Sequence, residues 1–257
     1  MKKNTPKISA LLITYNEINH IVDVITNVEF ADEIIVIDSY SDDGTFQKLN
    51  EFSHVKVIQR EFKNFADQRN FAIAQASYDW ILFIDADERI TPDLRNEIIS
   101  EINHPVTPSA FLFKRIFFFK TKRIRFSGFQ TDATFRLFKI GHVKYDETRL
   151  VHEMPIVDGE AKLLKNEMIH YSFDSAAHYK SKIEHYAKLK AEELFNKGKR
   201  SSFFHFVFRP SYKFLINYII RFGFLDGIEG FQLCYLNAYG VYFRYRELKR
   251  LTNSLPE

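Results

Sequence analysis

Hydrophobic and polar positions follow two regimes along the chain. Up to residue 102, short apolar runs at 8–13, 34–37, 55–58 and 80–84 alternate with helix-length stretches. Near-continuous apolar runs of this length imply strands buried on both faces, as in a parallel sheet. The stretches at about 18–29, 43–52 and 64–76 predict helices. A fourth, over 91–102, opens with Thr91-Pro92-Asp93, a capping residue followed by Pro in the first turn. The order βαβαβαβα predicts a Rossmann-like half whose ligands bind at the carboxyl ends of its strands. One more strand is expected at about 109–118. From 175 the period becomes helical: Tyr179, Ile183, Tyr186 and Leu189 form a stripe that ends near Gly198. Over 211–222, Lys213, Asn217 and Arg221 recur at i, i+4 and i+8, one narrow polar stripe on an otherwise apolar helix.

Composition narrows the class. The 257 residues suffice for a large domain, or a core domain with an appendage, without covalent staples. The single cysteine, Cys234, excludes an intrachain disulfide and every multi-cysteine metal site. No apolar window approaches a membrane span. The apolar run after Met1-Lys2-Lys3 is too short for a signal peptide, so the expected location is cytoplasmic.

A net charge of +3 conceals an asymmetry. Residues 1–104 carry 10 basic and 18 acidic side chains, a net of −8, whereas the remainder carries 26 and 15, a net of +11. The second half therefore suits an anionic partner. Residues 102–131 hold no acid and six bases, Lys114, Arg115, Lys120, Lys122, Arg123 and Arg125, interleaved with Phe. Such a turn favours an anionic acceptor or a membrane surface, and no nucleic-acid motif accompanies it. Residues 199–257 hold 15 Phe and Tyr, with nine bases against four acids. That composition suits a packed helical appendage or an interfacial element lying on an anionic leaflet.

Polar residues gather where the strands end: Thr14-Tyr15-Asn16-Glu17, then Asp38-Ser39, then Asp85-Ala86-Asp87-Glu88. Turns and caps account for Asp42, Asp43 and Thr45. They do not account for Asp85 and Asp87. At i and i+2 in an extended segment both carboxylates point to one side, and they repel unless a cation lies between them or one is protonated. Hard oxygen ligands suit Mg²⁺ or Mn²⁺, which in turn binds a diphosphate. No G-x-G-x-x-G, Walker or G-x-S-x-G motif is present, which excludes the common dinucleotide, P-loop and serine-hydrolase readings.

The segments T-Y-N-E at 14–17, V-I-D-S-x-S-x-D-G-T around Asp38, F-A-D-Q-R-N-F-A at 65–72 and D-W-I-L-F-I-D-A-D-E at 79–88 together resemble family 2 glycosyltransferases with the GT-A fold. S-G-F-Q-T-D-A-T-F-R-L-F at 127–138 and V-H-E at 151–153 resemble, more narrowly, the bacterial lipopolysaccharide-core β-1,4-glucosyltransferases. The resemblance implies an α/β GT-A domain over 1–172, with a nucleotide-sugar-binding half (1–104) and an acceptor half (105–172). A helical, basic-aromatic region over 173–257 would follow it. It further implies an inverting transfer of a hexose, glucose in the resembled group, from a UDP-sugar to a saccharide acceptor of lipopolysaccharide or another cell-envelope glycan, with Mg²⁺ or Mn²⁺. Peripheral contact with the cytoplasmic face of the inner membrane goes with such an acceptor.

By the same resemblance, Thr14, Tyr15 and Glu17 line the base and ribose pocket, and Asp38 accepts from the base. Arg69 reaches the nucleotide or its diphosphate, Asp85 contacts ribose or metal, and Asp87 coordinates the metal. An inverting transfer needs one general base. Related enzymes often use an E-D motif, in place of which this chain has His152-Glu153. Glu153 is the expected base, Asp132 the runner-up, and His152 a metal-ligand candidate. A polyprenyl-phosphate sugar synthase is the second enzymatic reading, and a non-catalytic sugar-nucleotide-binding protein is the reading of another class.

Overall fold

The computed structural model describes residues 5–147, 154–173 and 175–253. Its first compact unit comprises residues 1–115 and 132–170. Strands β1 (Ile8–Thr14), β2 (Glu33–Asp38), β3 (Val55–Gln59) and β4 (Trp80–Phe83) pair in parallel in the order β3-β2-β1-β4. The short strand β5 (Glu88–Ile90) follows the acidic segment. Beyond β4 the sheet turns antiparallel through β8 (Ala133–Lys139), β6 (Ala110–Phe119), β11 (Ala161–Phe173) and β5. Strand β7 (Lys122–Ile124) pairs with the end of β6, and β9 (Val143–Tyr145) pairs with β10 (Pro155–Val157) in a separate two-stranded sheet.

The apolar runs read as continuous because alternate residues feed opposite faces of the sheet. Ala10, Leu12, Ile34, Val36, Trp80 and Leu82 pack in one core, and Leu11, Ile35, Ile37, Ile81 and Phe83 in the other. Helix α3 (Phe65–Gln75) is capped by Asn64, whose side chain accepts from Asp67 N at 2.9 Å. Helix α4 (Pro92–Ile102) is capped by Thr91, as its sequence predicts. Helices α1 (Ile21–Asn27) and α2 (Thr45–Leu49) are shorter than the pattern suggests. The missing turns are taken by loops: Asp43 Oδ1 accepts from Thr45 N at 3.0 Å, and Gly44 sits at φ +98°, a conformation that glycine adopts without strain.

The second compact unit comprises residues 116–131 and 171–257, so the basic hairpin that the sequence reading assigns to the acceptor half groups with the C-terminal helices. Asp226 explains this. Its buried carboxylate accepts from the Arg125 and Phe126 amides, both at 2.9 Å, and from the Ser127 hydroxyl at 2.8 Å. Helices α5 (Ala176–Asn196) and α7 (Gly227–Asn253) pack together, with α6 (Phe203–Leu215) also against α7. A π-helical turn (Ile216–Ile220) and a 3₁₀ turn (Gly223–Asp226) join α6 to α7. The stripe of Lys213, Asn217 and Arg221 does not face water throughout: Asn217 is buried, while the nearby Leu215, Ile219 and Ile220 are exposed. Among the described residues no helix is long and apolar enough to cross a membrane.

Candidate active site

The loops after β1 and β2 are laced together. Asn16 donates its side-chain amide to Asp42 Oδ1 at 2.7 Å, and its backbone N–H to Ser41 Oγ at 2.9 Å. Glu17 N donates to Thr45 Oγ1 at 2.8 Å, and Ile18 N to Asp43 Oδ2 at 3.1 Å. Asn16 and Tyr40 both have left-handed backbone, at φ +57° and +59°. Asn tolerates that region, whereas Tyr40 is strained there, and strain of this kind collects at functional sites. The loops leave Tyr15 and Tyr40 exposed beside the buried Thr14.

Asp38 is wholly buried. Its Oδ1 accepts from the Ser41 hydroxyl at 2.5 Å and the Thr14 hydroxyl at 3.4 Å, and its Oδ2 from Ser41 N at 3.1 Å and the Gln59 amide at 3.2 Å. Each oxygen thus holds two donors, which fills the carboxylate. Asp38 organises the loop after β2, and reading a base would require one of these partners to leave.

The acidic segment after β4 sits in a network of arginines. Asp85 accepts from Arg69 Nη2 at 3.1 Å and from Arg136 Nη2. Glu88, fully buried, accepts from Arg136 Nη2 at 2.7 Å and from Asp85 N at 3.0 Å, with Arg115 Nη1 at 3.7 Å. Burial favours the neutral acid at both positions. At Asp85 the Arg136 and Arg69 guanidiniums override it and hold the carboxyl far below the usual range. At Glu88 burial outweighs Arg136, and the neighbouring Asp85 charge adds to the upward shift. Arg136 itself is held protonated: burial opposes its charge, but Asp85 and Glu88 more than compensate.

The charge of Asp85 is balanced within the protein by two cations, Arg69 and Arg136. Asp87 has His170, whose Nε2 lies 3.2 Å from Asp87 Oδ2. The antiparallel pairing of β11 with β5, which sets His170 opposite Glu88, brings it there. Among the described residues no group of three or more His, Cys, Asp and Glu is placed to hold a metal. Asp87 and His170 nevertheless form an oxygen–nitrogen donor pair that suits Mn²⁺ or Mg²⁺.

Arg69 is nearly buried over the faces of Phe83, at 5.1 Å, and Tyr145, at 5.6 Å. Its Nη1 is buried without a hydrogen-bond partner among the described residues. With Arg136, Thr134, Tyr145, Met154 and Pro155, it lines a cavity of about 210 Å³. Two guanidiniums on one cavity wall offer an anion a pair of charge-assisted hydrogen bonds. Asp132 is paired to Arg115, whose Nη2 lies 2.7 Å from its Oδ1. His152 and Glu153 lie outside the described residues.

Residues 9–158 match glycosyl transferase family 2. The chain belongs to this family. The transferase is 28% identical to an uncharacterized glycosyltransferase of Rickettsia conorii, over 96% of the chain and 92% of that relative. It is 26% identical to the lipopolysaccharide core biosynthesis glycosyltransferase LpsC of Rhizobium meliloti, over 93% of each. Among solved structures it is similar to the Pyrobaculum calidifontis mannosyltransferase PcManGT in complex with GDP-Man and Mn²⁺, with a TM-score of 0.52 and 14% identity. That match covers 99% of the chain and 77% of PcManGT. S. aureus TarS gives a TM-score of 0.50 at 14% identity over 89% of the chain, which spans 55% of TarS. These likenesses show the GT-A fold. The transferase's sequence pointed to Asp85 and Asp87 but not to Arg136, Glu88 or His170 as members of the site. An arginine inside the apolar strand F-R-L-F was a usable signal, since a buried cation requires a buried anion. For His170 there was no local signal, because strand register alone places it.

Proposed function

We propose that the transferase moves a hexose, with inversion, from a UDP-sugar to a saccharide acceptor of lipopolysaccharide or a related cell-envelope glycan. The observation that carries this reading is the pairing of Asp87 with His170 beside the half-buried Asp85 and the buried Arg69, Arg136 and Glu88, at the carboxyl ends of a parallel sheet. The likeness to LpsC supports the class of acceptor. The complex of PcManGT with GDP-Man and Mn²⁺ supports a nucleotide sugar and a divalent cation.

In this reading Thr14, Tyr15 and Glu17 line the nucleotide pocket, whose shape Asp38 maintains. Arg69, with its free Nη1, faces the diphosphate. Asp87 and His170 hold Mg²⁺ or Mn²⁺, which when bound neutralises charge on the diphosphate. Glu153 takes the proton of the acceptor hydroxyl. The new bond from that oxygen to the anomeric carbon forms as the bond to the diphosphate breaks, on the opposite face of the sugar. The cytoplasmic face of the inner membrane gives such an enzyme access to both donor and acceptor.

A thermal-shift panel of UDP-glucose, UDP-N-acetylglucosamine and GDP-mannose, each with Mn²⁺ and with chelator, tests the donor, because a ligand stabilises in proportion to its affinity. A UDP-hexose should raise Tm only with the metal. A chain indifferent to all three donors, with no donor hydrolysis, would overturn the reading.

A further inference from the structure

Helix α6 and the turns after it pack Phe206 and Phe214 against α7 but leave most of their other large apolar side chains exposed. A surface helix ordinarily turns its apolar stripe inward. Here none of the α6 residues is buried, and Phe203, Tyr212 and Ile220 are 76%, 67% and 64% exposed while Asn217 is 2% exposed. Phe204, Phe208, Leu215, Ile219, Phe222 and Leu225 are exposed as well. An apolar surface this continuous marks a contact site. Its charges have one sign: residues 199–225 contain five bases, Lys199, Arg200, Arg209, Lys213 and Arg221, and no acid.

The same unit holds a cavity of about 570 Å³ with Arg209, Lys213 and Arg244 among its walls, together with Phe204, Phe208 and Tyr212. Among the described residues no acidic side chain lines it. Arg209 donates to the Tyr245 hydroxyl, but Arg244 Nε is buried without a hydrogen-bond partner among the described residues. Burial, reinforced by Arg221 and Arg244, pushes the Lys213 amine down, as expected of a cation without a counter-charge.

We propose that α6 and its two following turns lie in the interface of an anionic phospholipid bilayer. Phe203, Phe208, Tyr212 and Ile220 enter the acyl region, and one lipid phosphate sits among Arg209, Lys213 and Arg244. Charge selects this occupant. Two copies of the chain meeting through this face would bring like charges together, whereas an anionic leaflet complements them. The cavity has the size of a small-molecule site, and its aromatic wall continues into the exposed apolar face. The inference rests on the membrane location proposed above and not on the transfer chemistry, so it can fail while donor binding holds.

Vesicle flotation of the full chain tests it, with phosphatidylcholine alone or mixed with phosphatidylglycerol. The wild type should float with the anionic vesicles and only weakly with the neutral ones. Phe203→Ser with Tyr212→Ser, both at exposed positions, should abolish flotation. Arg209→Gln with Lys213→Gln should weaken anionic-vesicle binding on the order of tenfold and flatten its salt dependence. Donor-induced thermal shifts, unchanged in every variant, would report an intact fold. Equal binding to both vesicles, or to neither, would overturn the proposal. So would a wild-type dimer that the Phe203 and Tyr212 changes make monomeric, or stabilisation by inorganic phosphate without vesicle binding.

Discussion

Arg136 on β8 donates to Glu88 at 2.7 Å, although 48 residues separate them, and the same nitrogen serves Asp85. One cation thus joins two acids of the D-A-D-E segment, and Glu88 has no exposure to water. Removing one partner of a buried ion pair is far more costly than replacing the whole pair by apolar residues. Arg136→Leu should therefore destabilise the fold by about 3–5 kcal/mol in chemical denaturation. Arg136→Lys, which keeps the charge but not the fork, should recover part of that loss. Equal stability of the leucine variant and the wild type would mean that the network contributes nothing.

Stability should also fall in acid through Asp85. Its folded-state pKa lies below the ordinary 3.8 because Arg136 and Arg69 outweigh burial. Stability from such a depressed carboxyl is present above the unfolded value and disappears as pH falls through the folded one. Glu88 is shifted the other way, so its contribution opposes this at higher pH. Asp85→Asn should lower stability at neutral pH and flatten the curve below about pH 4, measured by urea titration across pH. An unchanged acid slope would contradict the assignment.

Asp87→Asn and His170→Ala should each weaken Mn²⁺-dependent donor binding while leaving donor-free Tm near wild type. Removing either side chain deletes one donor of the pair without exposing a core. Isothermal titration with donor and Mn²⁺ reads the effect directly. Full affinity in both variants would move the metal elsewhere.

Asp38→Ala leaves the Ser41 amide and the hydroxyls of Ser41 and Thr14 without their acceptor. An unsatisfied buried group costs about 1–3 kcal/mol, so stability and donor affinity should fall together. Preference among UDP- and GDP-sugars should stay as it is, because Asp38 shapes the loop. A changed base preference with normal stability would restore a direct contact between Asp38 and the base.

Glu153→Gln should lower kcat by roughly 10²–10⁴ with donor binding near normal, the signature of a lost general base. Asp132→Asn should cost far less, since Arg115 holds that carboxylate. The reverse ranking in steady-state kinetics would make Asp132 the base.

Residues 8–102 announce their own architecture. Parallel strands buried on both faces need unbroken apolar runs, and each run in this stretch corresponds to a strand within a residue or two. The caps of α3 and α4 are equally local, because Asn64 and Thr91 bond to amides three residues on. Asp85 and Asp87 stand out in the sequence for the same reason: a charge at the end of an apolar strand is visible without knowing its neighbours. Who neutralises those charges is not a local matter. Arg136 and His170 reach the site through the pairing of β8 with β4 and of β11 with β5, contacts between segments far apart in the chain. Likewise the period of α6 shows an amphipathic helix but not which side is packed. Only the tertiary structure decided that Asn217, in the turn that continues α6, is buried while Tyr212, Leu215 and Ile219 stay exposed, because periodicity fixes relative positions on a helix and leaves its rotation about the axis free.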